Sequence, residues 1–514
     1  MRIFFISFFI GVSFFLLSGC ATLKEPPPLE EVYSMGPATN GNLAQAAEKF
    51  TKKYTLGESG FFILSENKEA FMWRLALVDE AVQSIDAQYF IFQNDETGIL
   101  LFERLLKAAD RGVRVRLLVD DILFAGKDRN IAAITRHPNF DIKIFNPGNV
   151  RNSLFGLTAA TDFLLNFKEL NRRMHNKLLV VDNQFAIVGG RNIGNPYFGL
   201  RKKYNFRDLD LLVTGHVLAQ LSSAFDIYWN LDLAYPAGAM SDKETLEDLE
   251  LLRQGVKTYL HERKDILSSY PLEPIDWQDR FHNLADNLSP GKAYFLQDKP
   301  VAIGEEEYRL WDMLGYVSKP TKHELTILTP YLIPTESLRK GLKKITSEGI
   351  KVSIVTASMG ANNHTAAHSH YKKHRREILA TGAELFEVKH DLKPEMKKIS
   401  DVPPVQSKFT SLHIKSMVAD RVRCFVGSLN LDPRALVLNT ENGLYIESPE
   451  LCGDLADQFA ILMHPDNAWR VYVDADNSMK WQSSSGVVGM QPARSFGQRI
   501  SDFFFRLLPI ESQL

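Results

Sequence analysis

Two histidines in the sequence are each followed by a lysine two residues later and by an aspartate seven residues later. An asparagine then lies 17 residues after each histidine. The residues of the two copies are His175, Lys177, Asp182 and Asn192, and His413, Lys415, Asp420 and Asn430. One such match in a chain of 514 residues is a conceivable accident, but two matches with the same trailing asparagine are not.

The histidine and lysine of each copy form a pair suited to a phosphodiester. Residues two apart in an extended strand project from the same face, so the imidazole and the ammonium group point the same way. An imidazole can attack phosphorus or protonate a leaving oxygen, and a lysine supplies positive charge to the non-bridging oxygens. Small residues before each asparagine, Gly189-Gly190 and Gly427-Ser428, allow backbone N–H groups near an anion. Asn192 and Asn430 are therefore candidate phosphate-binding residues.

The elements that must position these residues also occur twice. A β-rich stretch at 84–91 is followed by a helical stretch at 98–110, a turn at Arg111-Gly112 and a second β-rich stretch to residue 120. The same order recurs from 325 to 355, with its turn at Glu348-Gly349. Strands that alternate with helices predict βαβ units, and hence an α/β protein with two similar lobes, each a mixed, mostly parallel sheet flanked by helices.

Composition excludes several classes of protein. Hydrophobic residues make up 45% of the chain and charged residues 24%, which argues against a disordered or fibrous protein. The formal net charge is −2, whereas a protein that works mainly on nucleic-acid phosphate is expected to carry a basic surplus. We therefore expect no nucleic-acid partner, although a local basic groove is compatible with a balanced total.

The N-terminus has the pattern of a secretory signal. Arg2 precedes an apolar run over 3–17, and Leu17-Ser18-Gly19-Cys20 follows. A helix of about 15 residues is about 22 Å long, short for a hydrocarbon core of about 30 Å, but an uncleaved membrane anchor is the alternative. The segment resembles a bacterial lipobox, which implies acylation of Cys20 and a lipid anchor at the membrane. Because Ala21 rather than aspartate follows the cysteine, the resemblance points to the outer membrane, at its periplasmic face.

The repeated motif resembles that of the phospholipase D superfamily, whose two HKD motifs build one active site at the interface of two lobes. Residues 170–177 and 508–511 most resemble the C-type bacterial cardiolipin synthases and their lipoprotein relatives. The resemblance implies a two-step transfer that uses no metal or cofactor. One histidine becomes a covalent phosphohistidine while the other protonates the leaving alcohol and then deprotonates the acceptor.

The same resemblance assigns roles to individual residues. It implies that His175 is the nucleophile and His413 the acid/base, with the near-symmetry of the copies leaving the order open. It also implies a carboxylate that holds each histidine in the correct tautomer. Glu441 in the second lobe and Asp208 in the first fit that role, and Asp210 is the fallback. Asp182 and Asp420 belong to the motif, but we expect them to support the strand end rather than touch substrate.

Six segments follow from these patterns. They are a signal peptide at 1–19, a lipidated tether at 20–50, a first lobe at 51–237, a helical connector at 238–300, a second lobe at 301–482 and an amphipathic tail at 483–514.

Three functions remain compatible with the sequence. The first is a phosphatidyltransferase on glycerophospholipids, similar to cardiolipin synthase, with phosphatidylglycerol and phosphatidylethanolamine as the expected lipids. The second is a phospholipase D hydrolase that releases phosphatidic acid. The third is a nucleic-acid phosphodiesterase of the same superfamily. The predicted lipid anchor favours the first two, and the oligomeric state stays open.

Two weaker patterns lie outside the motif. The first is a cluster of histidines, which suits a metal pair, a lipid headgroup site or merely a solvated helix start: His364, His368, His370 and His374. The second is an apolar helical stripe near the C-terminus, which either lies on an anionic membrane or packs on its own domain. Its residues are Phe496, Ile500, Phe503, Phe504, Leu507 and Leu508.

Overall fold

The structure is a computed structural model that describes residues 30–123, 128–148, 171–241, 243–300, 309–317 and 319–513. The predicted signal peptide, Cys20 and the first part of the tether lie outside these residues. Apart from short 3-10 and π turns, the described helices are α1 (Gly41–Lys53), α2 (Asn67–Glu80), α3 (Glu96–Asp110), α4 (Asp128–Ile134), α5 (Leu218–Trp229), α6 (Leu246–Glu262), α7 (Gln278–Leu284), α8 (Leu310–Val317), α9 (Glu336–Ser347), α10 (Thr365–Tyr371), α11 (Arg375–Ala380), α12 (Pro394–Lys397), α13 (Pro449–Met463) and α14 (Phe496–Arg506).

The described strands fall into two sets with the same topology. They are β1 (Ser59–Leu64), β2 (Ser84–Tyr89), β3 (Arg114–Asp120), β4 (Phe140–Phe145), β5 (Lys177–Val181), β6 (Phe185–Gly189), β7 (Tyr204–Arg207), β8 (Asp210–Gly215), β9 (Ala234–Pro236), β10 (Ser289–Gln297), β11 (Glu324–Leu328), β12 (Lys351–Ala357), β13 (Glu384–Val388), β14 (Phe409–Leu412), β15 (Ser416–Ala419), β16 (Arg423–Gly427), β17 (Asn442–Glu447), β18 (Ala468–Val473), β19 (Met479–Ser483) and β20 (Gly486–Val488).

The order of the strands confirms an α/β fold with an internal duplication. The first lobe runs β9, β4, β3, β2, β5, β6, β8, β1. The second runs β18, β13, β12, β11, β15, β16, β17, β10, and β19 and β20 extend its outer edge. In both sheets only the βαβ strands pair in parallel, so antiparallel pairs outnumber the parallel ones that we expected to predominate. The reason is that each motif hairpin, β5–β6 and β15–β16, adds antiparallel strands.

The two lobes are joined in two ways. β1 pairs with β10, which makes one continuous sheet of the two halves, and β7 pairs in parallel with β14 in a small separate sheet. A buried apolar core is also shared, because it contains side chains of α5 and α13 together with residues of β5 and β16. The relative placement of the two halves of the motif is therefore fixed by packing and by backbone hydrogen bonds.

Two of the expected segment boundaries change in the structure. Residues 41–50, which we placed in the tether, belong to α1, whose Leu43 and Phe50 are buried in the core of the first lobe. Residues 289–297, which we placed in a helical connector, form β10 instead. A lone strand that follows two charged helices gives little sequence signal, and its alternating burial is set by the neighbours on both sides.

Among the described residues no helix is both long enough and apolar enough to cross a membrane.

Candidate active site

The four motif side chains with acid–base chemistry are buried in the same region. His175 and His413 are 7% and 5% exposed, and Lys177 and Lys415 are also buried. Each histidine lies in an extended segment just before a strand, β5 or β15, as the spacing predicts. The charges of His413 and Lys415 both act on His175, so the two halves of the motif form one site.

Each histidine is held by a carboxylate from the opposite lobe. The Nδ1 atom of His175 lies 2.8 Å from Oε2 of Glu441, and Nδ1 of His413 lies 2.5 Å from Oδ2 of Asp208. Both carboxylates are fully buried. The structure therefore places both predicted carboxylates at histidines, but each carboxylate binds the histidine of the other lobe. We call this arrangement the crossing.

Backbone pairing produces this crossing in the same way at both histidines. The residue before each histidine pairs in parallel with the residue before the carboxylate, through a Met174–Thr440 bridge and through the last residues of β7 and β14. The N–H of His175 donates to the Thr440 carbonyl at 2.9 Å, and the N–H of His413 donates to the Arg207 carbonyl at 2.8 Å. Each histidine is thus fixed by its backbone N–H, and its ring is fixed by Nδ1.

The remaining ring nitrogen of each histidine is available for chemistry. Because Nδ1–H donates to a carboxylate, the neutral ring carries its lone pair on Nε2. No described residue forms a hydrogen bond with either Nε2. Aromatic rings pack against the imidazoles and restrict their rotation, with Phe90 at 4.9 Å from His175 and Phe206 at 4.6 Å from His413 between ring centres.

The electrostatics of the site favour an anion. Burial lowers the pKa of Lys177 to about 7 and that of Lys415 to about 8. Burial and the lysine charges lower the pKa of His413 to about 4 and that of His175 well below its ordinary value. A bound phosphodiester would counter this mutual repulsion and raise the lysine pKa values again, because an adjacent negative charge favours the protonated amine.

The pKa values of the two carboxyl groups are shifted in opposite directions. Burial raises the pKa of Glu441 well above its usual range. Burial also opposes the ionisation of Asp208. The positive charge of His413 and its hydrogen bond to Asp208 outweigh burial, so the pKa of Asp208 lies below its ordinary value.

Sequence reasoning missed the groups that support these carboxylates. Ser428 donates a short hydrogen bond from Oγ to Oε2 of Glu441, and Oδ2 of Asp298 accepts the Glu441 N–H at 2.9 Å. In the first lobe Gly190 occupies the position equivalent to Ser428, and a Cβ atom there would lie 2.3 Å from the Asp208 carboxylate. The signal was present in the sequence as a Gly-Gly pair in one copy and a Gly-Ser pair in the other.

The two candidate phosphate-binding asparagines differ in their contacts. Oδ1 of Asn192 accepts the Ile91 N–H at 3.0 Å, and its Nδ2 donates to the Tyr197 hydroxyl at 2.9 Å, which uses one of the two N–H groups of the amide. Tyr197 in turn packs 5.4 Å from the His413 ring. Asn192 thus supports the site through Tyr197, and its contact with phosphate stays a prediction. Oδ1 of Asn430 is buried and has no hydrogen-bond partner among the described residues.

The motif aspartates lie at the far ends of their strands from the histidines and cap backbone N–H groups. Asp182 accepts from the N–H groups of Val82, Gln83 and Ser84. Asp420 accepts in the same way from Lys322, His323 and Glu324. Both aspartates thus lie in the supporting position that we expected, and any part they take in the reaction itself stays a prediction. Asp210, the fallback carboxylate, is bound to Arg74 and Arg191 and does not contact a histidine.

Comparisons with known proteins agree with this geometry. Residues 75–229 and 318–463 match the family described as "Cardiolipin synthase, PLD-like domain". Cardiolipin synthase C of Escherichia coli (strain K12) is 32% identical over 88% of this chain and 96% of its own length. An uncharacterized protein of Helicobacter pylori (strain ATCC 700392 / 26695) is 28% identical over 98% of this chain and 99% of its length.

A solved structure supports the fold independently. The phosphatidylserine synthase of Haemophilus influenzae Rd KW20 aligns with a TM-score of 0.52 and 15% identity, over 80% of this chain and 87% of that one. The family match spans both lobes and both histidines. The chain therefore belongs to the cardiolipin synthase, PLD-like domain family of the phospholipase D superfamily, and it is a phospholipase D-type phosphatidyltransferase.

Proposed function

We propose that the protein moves the phosphatidyl group of one glycerophospholipid to the hydroxyl of a second lipid, as a cardiolipin synthase does, through a phosphohistidine. The observation that carries the proposal is the pair of imidazoles whose Nδ1 atoms are fixed by carboxylates and whose Nε2 atoms form no hydrogen bond with any described residue. Two buried lysines beside them supply positive charge for one phosphodiester.

In the first step the Nε2 lone pair of His175 attacks phosphorus. The phosphorus–oxygen bond to the headgroup alcohol breaks, and the alkoxide takes the proton from Nε2–H of His413, which is protonated once the charge of the bound phosphodiester has raised its pKa. Lys177 and Lys415 face the non-bridging oxygens, and the Asp208 carboxylate stabilises the imidazolium that donates the proton. This division of one displacement into two is ordinary covalent catalysis.

In the second step the hydroxyl of the acceptor lipid gives its proton to Nε2 of His413. The acceptor oxygen then attacks phosphorus, the phosphorus–nitrogen bond to His175 breaks, and its electron pair returns to Nε2. With phosphatidylglycerol as both donor and acceptor, the products are cardiolipin and glycerol, and with phosphatidylethanolamine as donor the released alcohol is ethanolamine.

A lipid acceptor rather than water is favoured by the surroundings of the histidines. Both rings are nearly buried, and Phe90, Phe206 and Tyr197 pack against them. Apolar side chains beside the reacting groups favour an acceptor that brings its own apolar chains over water.

Lipid mass spectrometry tests the proposal. The protein is incubated in mixed micelles of phosphatidylglycerol and phosphatidylethanolamine, with the His175→Ala variant in parallel. Cardiolipin formed only by the unaltered protein supports the transferase. Phosphatidic acid without cardiolipin would make the protein a hydrolase, and neither product would turn attention to nucleic acid and overturn the proposal.

The covalent intermediate has a test of its own. After an acid-free quench, the peptide that contains His175 should carry an alkali-stable, acid-labile phosphatidyl adduct. The His413→Ala variant should retain this adduct longer, because no base remains to activate the acceptor. An adduct on the His413 peptide would reverse the two roles, and no adduct on either peptide would exclude the two-step route.

We also propose that an acylated Cys20 anchors the protein to the outer membrane, on the sequence grounds given above. Metabolic labelling with a fatty-acid analogue, followed by density separation of the two membranes, tests this address. The Cys20→Ser variant is the control, and label that remains in this variant or that sediments with the inner membrane would contradict the proposal.

A further inference from the structure

The C-terminal helix α14 lies on the protein with its apolar side turned outward. Its one buried residue is Asp502, whereas the residues of the predicted apolar stripe are exposed. Phe496 is 76% exposed and Phe504 is 63% exposed. A helix that only completed a core would bury these rings and leave its carboxylate in water.

The polar side of this helix is held by the histidine cluster. Oδ1 of Asp502 lies 2.9 Å from Nδ1 of His368, and Lys372 pairs with the same carboxylate. Burial lowers the pKa of His368 to about 3, so the contact is a hydrogen bond from a neutral ring. Beyond the helix, Glu511 pairs with His370 at 3.0 Å and with His374 at 2.9 Å. The histidine cluster therefore binds carboxylates of the chain's own C-terminal tail, rather than a metal ion or solvent.

The end of the tail is tied to the segment that leads into the active site. Nδ2 of Asn171, four residues before His175, donates to Oε1 of Gln513 at 2.6 Å, and Arg434 donates both to Asn171 and to the Gln513 carbonyl. Burial, the lysines and, more weakly, the Arg434 charge lower the pKa of His175. The tail that begins with α14 is therefore linked through Asn171 and Arg434 to the active-site segment.

The charge next to this surface is positive. Arg499 and Arg506 lie on α14 itself, with Arg506 over the Phe503 ring at 5.5 Å. Aromatic and aliphatic side chains on one face, flanked by arginines, are the composition of helices that rest in the headgroup layer of anionic bilayers. Exposed apolar patches of this kind on a folded protein mark a surface that something covers.

We propose that the outward face of α14, formed by Phe496, Ile500, Phe503, Phe504, Leu507 and Leu508, rests on an anionic phospholipid bilayer and, through the contacts of the tail with Asn171 and Arg434, keeps the active site near it. The polar ties through Asp502 and Glu511 make the helix a fixed platform. From the proposed function this inference takes only that the substrate is a phospholipid.

Fluorescence quenching by lipid tests the surface without any turnover. The full-length Phe504→Cys protein is labelled with an environment-sensitive fluorophore and reconstituted into vesicles of phosphatidylglycerol and phosphatidylcholine with spin-labelled acyl chains. Leu251→Cys, on α6 and 59% exposed, is the matched control. Every protein in the comparison also carries Cys20→Ser, which removes the N-terminal thiol, and Cys424 and Cys452 are buried. The Cys20→Ser protein without a further cysteine gives the background.

The expected result is at least threefold stronger lipid quenching at residue 504 than at residue 251, and weaker quenching in vesicles of phosphatidylcholine alone. Equal quenching at the two positions would overturn the proposal. A fluorophore at 504 that is shielded from both lipid and aqueous iodide would also overturn it, because a second copy of the chain would then cover the face. Turnover without quenching would refute this surface alone, and quenching without a lipid product would refute only the proposed function.

Discussion

Replacement of Asp208 by asparagine tests whether a carboxylate of the first lobe assists the histidine of the second. The carboxylate is fully buried, and Oδ2 lies 2.5 Å from Nδ1 of His413. Asparagine has nearly the same shape, and its amide oxygen still accepts the Nδ1–H bond. The substitution therefore removes negative charge with little change of shape. It also turns the amide NH2 toward the Leu209 N–H, which Oδ1 of Asp208 accepts at 2.8 Å, so folding must be followed alongside activity.

The size of the effect follows from the charge that His413 acquires. An imidazolium and a carboxylate about 4 Å apart attract by about 4 kcal/mol at an effective dielectric constant of about 20. Since the hydrogen bond is retained in part, we expect the transition state to lose about 2–4 kcal/mol, which is about 30- to 1,000-fold in kcat. The pKa of His413, already about 4, should fall further, because the Asp208 charge is what raises it against burial.

The assay follows kcat and KM for phosphatidylglycerol in mixed micelles between pH 3 and pH 9, with the melting temperature as a control for folding. Whichever limb of the pH profile belongs to His413 should move to lower pH. A double-mutant cycle completes the test, because Asp208→Asn should have no further effect in a His413→Ala background if the carboxylate acts through this ring.

Two results would refute the reasoning. An Asp208→Asn protein with unaltered kcat and an unaltered pH profile would show that the carboxylate takes no part in the reaction. Additive losses in the double variant would show that Asp208 acts by some route other than His413.

Three further predictions follow from the site. Ser428→Gly, which copies the first-lobe residue at this position, removes one hydrogen bond to Glu441 and should lower kcat about fivefold, since such a bond contributes about 1 kcal/mol; an unchanged kcat would contradict this support. Dibutyl phosphate keeps a constant charge between pH 6 and 9, and its inhibition should weaken as pH rises through about 7 and 8, because Lys177 and Lys415 then lose their protons. An inhibition constant that does not change with pH would show that the lysines do not bind the anion. Asp182→Ala leaves backbone N–H groups unpaired, so the free energy of unfolding, measured with urea, should fall by about 1–3 kcal/mol, while kcat of the folded fraction should stay normal. A reduced kcat with full stability would show that this aspartate takes part in catalysis.

The features that the sequence predicts well are local or repeated. The pattern of His175 and Lys177 occurs again at His413 and Lys415, and the strand–helix–turn–strand order before each copy identifies two α/β lobes. The positions of Asp182 and Asp420 at strand ends follow from the same periodicity. Each of these predictions needs only residues that are close in the chain, or a comparison of the chain with itself.

The features that the sequence does not predict depend on how distant segments pack. Glu441 is 266 residues from His175, and Asp208 is 205 residues from His413, so only the packing of the lobes pairs them. The C-terminal helix is a second case. Its periodicity predicts an apolar stripe, but the buried partners of Asp502 decide which side of the helix meets the protein.

The crossing and the small differences between the lobes together distinguish the two histidines. Neither lobe alone contains a complete histidine–carboxylate pair, so a shift between the lobes would alter both pairs at once. Within this symmetry Asp208 is the carboxylate held ionised, while burial raises the pKa of Glu441. An ionised carboxylate stabilises an imidazolium, and so His413 is the ring better able to take up and return a proton. His175, whose pKa is lowered by burial and then by the charges of Lys177, Lys415 and Arg434, keeps the lone pair of Nε2 for the nucleophilic role that we propose.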